Sequence, residues 1–170
     1  MKKALFLFGF RSLAASVGIF LGAFLIGKMF NLSYSVQEVL GYLSIALSLL
    51  FVFFAIKYYR DKENQGRLTF RNGLLLGLGI TLFVAIGSAV ADFIYLTVIY
   101  PDFITDYTQY QIEILQKSVP AEDFEVKKAE LLDQVESIGH PAILAFIMFA
   151  TVVPLGIIIT LISTMILQKK

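Results

Sequence analysis

The chain has no cysteine, no tryptophan and a single histidine. These absences remove disulfides, thiolate nucleophiles and almost every zinc constellation, each of which needs several such ligands. A serine–histidine pair would need a nucleophile motif, and no GxSxG occurs, Gly87-Ser88-Ala89 being the nearest approach. Phosphate-binding loops, dinucleotide fingerprints and the repeated halves of inverted-repeat transporters are also missing. The expectation is therefore no catalytic residue, no cofactor and no metal. Charge is scarce too, at 16% of residues against about 25% in an ordinary soluble chain. The net charge is only +1, so no global field argues for nucleic acid.

What the sequence has in quantity is apolar length. The 170 residues are 58% hydrophobic, with a mean hydropathy of +0.78. Ser12–Gly27 is uncharged over 16 residues, Val39–Ile56 over 18, Asn72–Ala91 over 20 and Pro141–Gln168 over 28. A helix rising about 1.5 Å per residue needs roughly 20 apolar residues to cross a bilayer core. The last three runs qualify directly. The first is completed by Ala4–Phe10, with Arg11 near one edge, where its long side chain can snorkel to the headgroups. Arg11 splits the would-be signal core and no cleavage site follows, so this run is expected to stay as a helix. The reading is an all-α integral membrane protein. Four transmembrane helices are expected at about 4–30, 37–57, 71–100 and 141–168, in a single membrane domain over 1–170.

The stretch "YYRDKENQGRLTFRNG", Tyr58–Gly73, places six charges between the second and third runs. Orientation follows from the basic residues in the connections. Lys2, Lys3, Arg11, Lys57, Arg60, Lys62, Arg67, Arg71, Lys169 and Lys170 fall at one end; Lys28, Lys117, Lys127 and Lys128 fall at the other. The end with ten should be cytoplasmic, with both termini inside. Gln65-Gly66 suits a turn, and Thr69 or Asn72 suits the cap of the third helix.

The connection from Pro101 to Gly139 carries nine acids and three lysines. Phe103, Tyr107, Tyr110 and Ile114 recur at helical spacing, as do Phe124, Lys128, Leu131, Val135 and Ile138. This predicts an acidic, extracytoplasmic helical hairpin over 101–139, with Ser118 as an N-cap for its second helix. Its apolar faces should meet each other or the outer ends of the bundle.

Small residues recur at packing spacing: Ala14, Gly18 and Gly22 on helix one; Gly41, Ser44 and Ser48 on helix two; Gly73, Gly77, Gly87 and Ala91 on helix three; Gly156, Thr160 and Thr164 on helix four. Gly18, Gly22, Gly73 and Gly77 are the candidate packing positions. Asp92 is the only acid inside an apolar run. Counted from Arg71 it lies about 30 Å up, at the outer interface, where a pairing with Lys28 is expected. His140 and Pro141 are read as a helix break, and Pro154 as a break or kink within the long last run.

The segments "KYYRDKENQGRLTFRNGLLLGLG" (Lys57–Gly79) and "IYPDFITDY" (Ile99–Tyr107) carry a resemblance to an uncharacterised bacterial membrane family, domain of unknown function 4199. The resemblance covers nearly the whole chain. It implies four membrane helices with an acidic helical insertion before the last, in a bacterial inner membrane, and it supplies no activity or site residue. The combined expectation is a non-enzymatic, multi-pass accessory or structural subunit. Its partners would be the lipid bilayer and a protein partner or second copy, met through small-residue faces or the acidic outer hairpin. A small oligomeric transporter or channel is the alternative.

Overall fold

The computed structural model describes residues 1–169. It contains six helices. They are α1 (Lys2–Met29), α2 (Tyr34–Tyr58), α3 (Phe70–Ile94), α4 (Phe103–Ser118), α5 (Ala121–Ile138) and α6 (Pro141–Leu167). α2 and α3 each run on into a π-helical turn, at Tyr59–Glu63 and Tyr95–Ile99. With those turns counted, four helices are long and apolar enough to cross a membrane.

α2 begins at Tyr34, three residues before the expected start, because only Phe30–Ser33 is needed to reverse the chain; Asn31 takes a positive φ of 47° there. The turn between α2 and α3 uses Gln65 and Gly66, both at positive φ. Thr69 then caps α3, its hydroxyl accepting from the Asn72 amide at 3.3 Å. Ser118 is not a cap of α5. It closes α4, its hydroxyl donating to the Ile114 carbonyl at 2.7 Å. The N-cap of α5 is Pro120. His140 is the N-cap of α6, its Nδ1 accepting from the Ala142 amide, with Pro141 in the first turn. Pro154 does not break α6, which runs unbroken through it. Pro154 itself is exposed.

α3 is the central helix, packed on α1, α2 and α6. Against α6 the two chains run antiparallel in steps of four. Gly73 faces Thr164, Gly77 faces Thr160, and Thr81 faces Gly156. At each level a hydrogen sits opposite a branched side chain, so the backbones approach as closely as small-residue membrane interfaces allow. The Thr81 and Thr160 hydroxyls lie 3.4 Å apart within this seam. Against α1 the chains run parallel, again in steps of four: Leu5 on Gly79, Gly9 on Phe83, and Leu13 with Ser16 on Gly87. The buried hydroxyls of Ser12, Ser16, Ser44 and Ser88 donate to carbonyls of their own helices. That satisfies them without a partner helix. Leu76, Ile80, Val52, Val84 and Val152 fill the middle of the bundle.

The ends of the bundle differ in charge. At one end Leu68 pairs through two backbone hydrogen bonds with Lys169, and the Met1 ammonium meets Glu63 at 2.5 Å. The basic connection between α2 and α3 and both ends of the chain are thus gathered there, at what we call the basic end. α4 and α5 lie at the opposite, acidic end. They touch one another, and neither contains a fully buried residue.

Candidate functional site

The acidic end is built around aromatic rings. α4 starts close behind the π-helical turn Tyr95–Ile99, because Tyr100 and Pro101 redirect the chain at once. That short connection holds the Phe103–Tyr107–Tyr110 stripe over the bundle. Tyr34, at the start of α2, lies 5.9, 5.2 and 4.7 Å from the rings of Phe103, Tyr107 and Tyr110. Tyr95 packs on Phe103 at 5.5 Å and on Phe24 of α1 at 4.5 Å. Three of the four stripe residues, Phe103, Tyr107 and Tyr110, thus meet the outer ends of α2 and α3, while α4 also touches α5. The half-buried positions of α5 are Phe124, Lys128, Leu131 and Val135, four of the five positions read from its spacing; the fifth, Ile138, is exposed.

Beneath α4 this arrangement lines a half-open cavity of about 550 Å³. Along α2 it reaches from Tyr34 to Ile45, about 16 Å at the helical rise. Its acidic groups are Asp92, half-buried on α3, and Glu38, exposed on the first turns of α2. Among the described residues no lysine or arginine lines it. Tyr95, also in its wall, has a buried hydroxyl with no hydrogen-bond partner.

Lys28 does not pair with Asp92. Its ammonium donates to the Ile99 carbonyl at 2.6 Å and lies 4.5 Å above the centre of the Tyr100 ring. The physical reason is the π-helical turn. At its end backbone carbonyls are left over, and a carbonyl beside a tyrosine face offers a cation two contacts at once. Tyr100 in turn donates to Asp106 of α4 at 2.5 Å. This hydrogen bond, with some burial, raises the Tyr100 phenol above its ordinary pKa. Among the described residues no ion pair engages Asp92.

The small-residue positions separate. Gly73 and Gly77 stand against α6, whereas a side chain added at Gly18 or Gly22 would meet nothing within 4 Å. α1 instead presents Gly9, Ser12 and Ser16 to the bundle. His140, Pro141 and Pro154 lie outside the cavity wall. Glu38, Tyr34 and Tyr95 escaped the sequence reading. Tyr95 had an available signal, since it stands three residues after Asp92 and so near it on the same side of the helix. Tyr34 and Glu38 had none, as nothing local tells which side of α2 faces α4. Among the described residues no group of three or more histidine, aspartate or glutamate side chains gathers at one place to ligate a metal.

Neither the curated proteins nor the solved structures contain a match to the chain. A family model described as "Protein of unknown function (DUF4199)" matches residues 7–169.

Proposed function

The chain belongs to the DUF4199 family, and from that premise we propose that it is a non-enzymatic accessory or structural subunit of the bacterial inner membrane. In this reading the basic end is cytoplasmic, with both termini, and α4 and α5 form an extracytoplasmic hairpin available to a partner. The observation that carries it is the filled middle of the bundle. Val52, Val84 and Val152, from three different helices, are fully buried in one core cluster, and the buried hydroxyls of Ser12, Ser16, Ser44 and Ser88 are bonded within their own helices, which supports a close-packed interior in a single copy. In this reading the chain acts through its surfaces. The surface rich in charge at the acidic end is the pair α4 and α5, whose exposed residues include Glu122, Glu125 and Glu136.

A second reading, a small transporter or channel working as an oligomer, is favoured by the cavity itself and by Asp92 in its wall. Affinity purification of the full chain in mild detergent separates the two. A protein recovered in fixed ratio with the chain, and lost when Glu122, Glu125 and Glu136 are all changed to Lys, supports the accessory role. A chain recovered only with itself, whose reconstituted vesicles pass ions or solutes, supports transport and overturns it.

A further inference from the structure

We propose that the cavity beneath α4 is a binding site for an amphiphilic ammonium, a primary or quaternary ammonium carried on an apolar body. This goes beyond the accessory reading and does not depend on which face of the membrane α4 and α5 occupy.

Size comes first. A space of about 550 Å³ falls within the range of pockets that take small molecules, roughly 300–1,000 Å³. Charge comes second. The wall holds two carboxylates, Asp92 and Glu38, and no lysine or arginine among the described residues. Lys28, a cation at the same end of the bundle, is committed to the Ile99 carbonyl and the Tyr100 ring, and Lys117, Lys127 and Lys128 of α4 and α5 do not line the cavity. A half-buried carboxylate without a counter-charge is costly in a medium of low dielectric, and a ligand cation relieves that cost. An anion entering the same space would meet two like charges.

Aromatic faces come third. Tyr34, Tyr42, Tyr95, Tyr107 and Tyr110 all line the cavity. A cation within about 6 Å of such a face is held by the ring quadrupole, more strongly once desolvated. The same end of the protein already uses this contact once, in Lys28 over Tyr100. The rings favour an organic cation over a bare metal ion, since among the described residues no group of three or more histidine, aspartate or glutamate side chains gathers to replace a metal's hydration shell. The fourth observation is the Tyr95 hydroxyl, buried without a partner in the same wall; a buried polar group left unpaired in a protein calls for an explanation, and the N–H of a primary ammonium would supply one, whereas a quaternary ammonium is held by the carboxylates and rings alone. The apolar body has its own place. Ile45, Leu96, Ile147 and Met148 line the cavity, and Ile147 and Tyr42 are exposed on the outward sides of α6 and α2, so a hydrocarbon tail can extend from the cavity toward the bilayer.

The ammonium has two possible sources, a free alkylammonium or the headgroup of a choline lipid, and the experiment separates them. The full chain is purified in dodecyl maltoside, whose neutral headgroup and dodecyl tail are then present in excess. Dodecyltrimethylammonium is titrated in and followed by equilibrium dialysis and by tyrosine emission. That emission is readable because the chain has no tryptophan, and five of its eight tyrosines line the cavity. Saturable binding is expected, weakened roughly tenfold or more by Asp92→Asn, which removes a charge contact worth about 1.4 kcal/mol or above. Glu38→Gln should weaken it less, and Glu130→Gln on α5 should leave it unchanged. Competition by dodecylphosphocholine identifies a lipid headgroup as the source; failure to compete identifies a free alkylammonium. Absence of saturable binding overturns the proposal. So does binding that is as tight in Asp92→Asn and Glu38→Gln as in the wild type. Should Asp92→Asn not fold, Glu38→Gln and the exposed-rim variant Tyr107→Ala decide alone, and wild-type affinity in both overturns it.

Discussion

The ammonium of Lys28 donates to the carbonyl oxygen of Ile99, 71 residues away in sequence and 2.6 Å away in space. It ties the end of α1 to the end of the π-helical turn that follows α3. Lys28→Met should loosen that turn while leaving the bundle folded. The contact is exposed, so the expected loss of stability is modest, about 1 kcal/mol or less. The sharper readout is amide hydrogen exchange over Tyr95–Ile99, which should speed up in Lys28→Met and recover substantially in Lys28→Arg. Unchanged exchange in Lys28→Met would show that the turn holds itself.

Gly77 and Gly18 look alike in sequence and differ in surroundings. A side chain at Gly77 collides with Thr160, whereas one at Gly18 meets nothing within 4 Å. Gly77→Leu should therefore lower the thermal midpoint in detergent, by an amount corresponding to roughly 1–3 kcal/mol of overpacking or more. Gly18→Leu should not lower it. Equal midpoints for the two variants would contradict the α3–α6 register.

This contrast also marks how far the sequence could be read. Run length and uncharged length located all four long helices, and charge located the connections, because both are properties of a segment as a whole. Which side of a helix meets its neighbours is a different kind of information. In a soluble helix the polar residues mark the wet face, but along α1 lipid-facing and protein-facing positions are equally apolar. Ala14–Gly18–Gly22 and Gly9–Ser12–Ser16 are both small-residue faces, and only the shape of α3, with Phe83 and Gly87 at matching steps, selects the second. The cavity was hidden for a similar reason. Asp92 was visible as a lone acid, yet the tyrosines around it come from helices up to 76 residues apart in sequence, Tyr34 to Tyr110.

Ten basic residues against four, together with the backbone pairing of Leu68 and Lys169 at the basic end, lead to a prediction about sides. Single cysteines at Gln65 and Glu122, in a chain that has none of its own, should respond oppositely to a membrane-impermeant thiol reagent on intact cells. Glu122→Cys should be labelled and Gln65→Cys protected. The reverse pattern would place the basic end outside.

Tyr100 donates to Asp106, and this raises its phenol above the ordinary value, which is about 10 in an unfolded chain. The folded protein therefore holds that proton more tightly than the unfolded chain does. The contribution of the bond is fully present below about pH 10 and is lost as the pH climbs from there through the higher folded-state value. In an ultraviolet titration of phenolate absorbance the wild type should show a late-ionising tyrosine. Tyr100→Phe should delete that phase, and Asp106→Asn should move it to lower pH. A titration unaltered by either substitution would show that the bond does not govern Tyr100.

Tyr34 is the hinge on which α4 rests. Its ring touches those of Phe103, Tyr107 and Tyr110, whereas α4 itself has no fully buried residue. Aromatic pairs of this kind are worth about 0.5–1.5 kcal/mol beyond their area. A double-mutant cycle between Tyr34→Ala and Tyr110→Ala should return a coupling of that order. Tyr34→Ala alone should raise protease sensitivity near Lys117, since α4 loses its hold on the bundle. Leu131→Asp should raise it too, by a different route, because a carboxylate at a half-buried apolar position of α5 is left without a partner. The two routes are separable. Tyr34→Ala opens the cavity wall and should alter tyrosine emission from the remaining rings, whereas Leu131→Asp should leave that emission unchanged. Glu130→Ala, exposed on α5, should do neither. Identical behaviour of Tyr34→Ala and Glu130→Ala would mean that the rings over the cavity do not hold α4, and that the roof of the site is set by the chain connections alone.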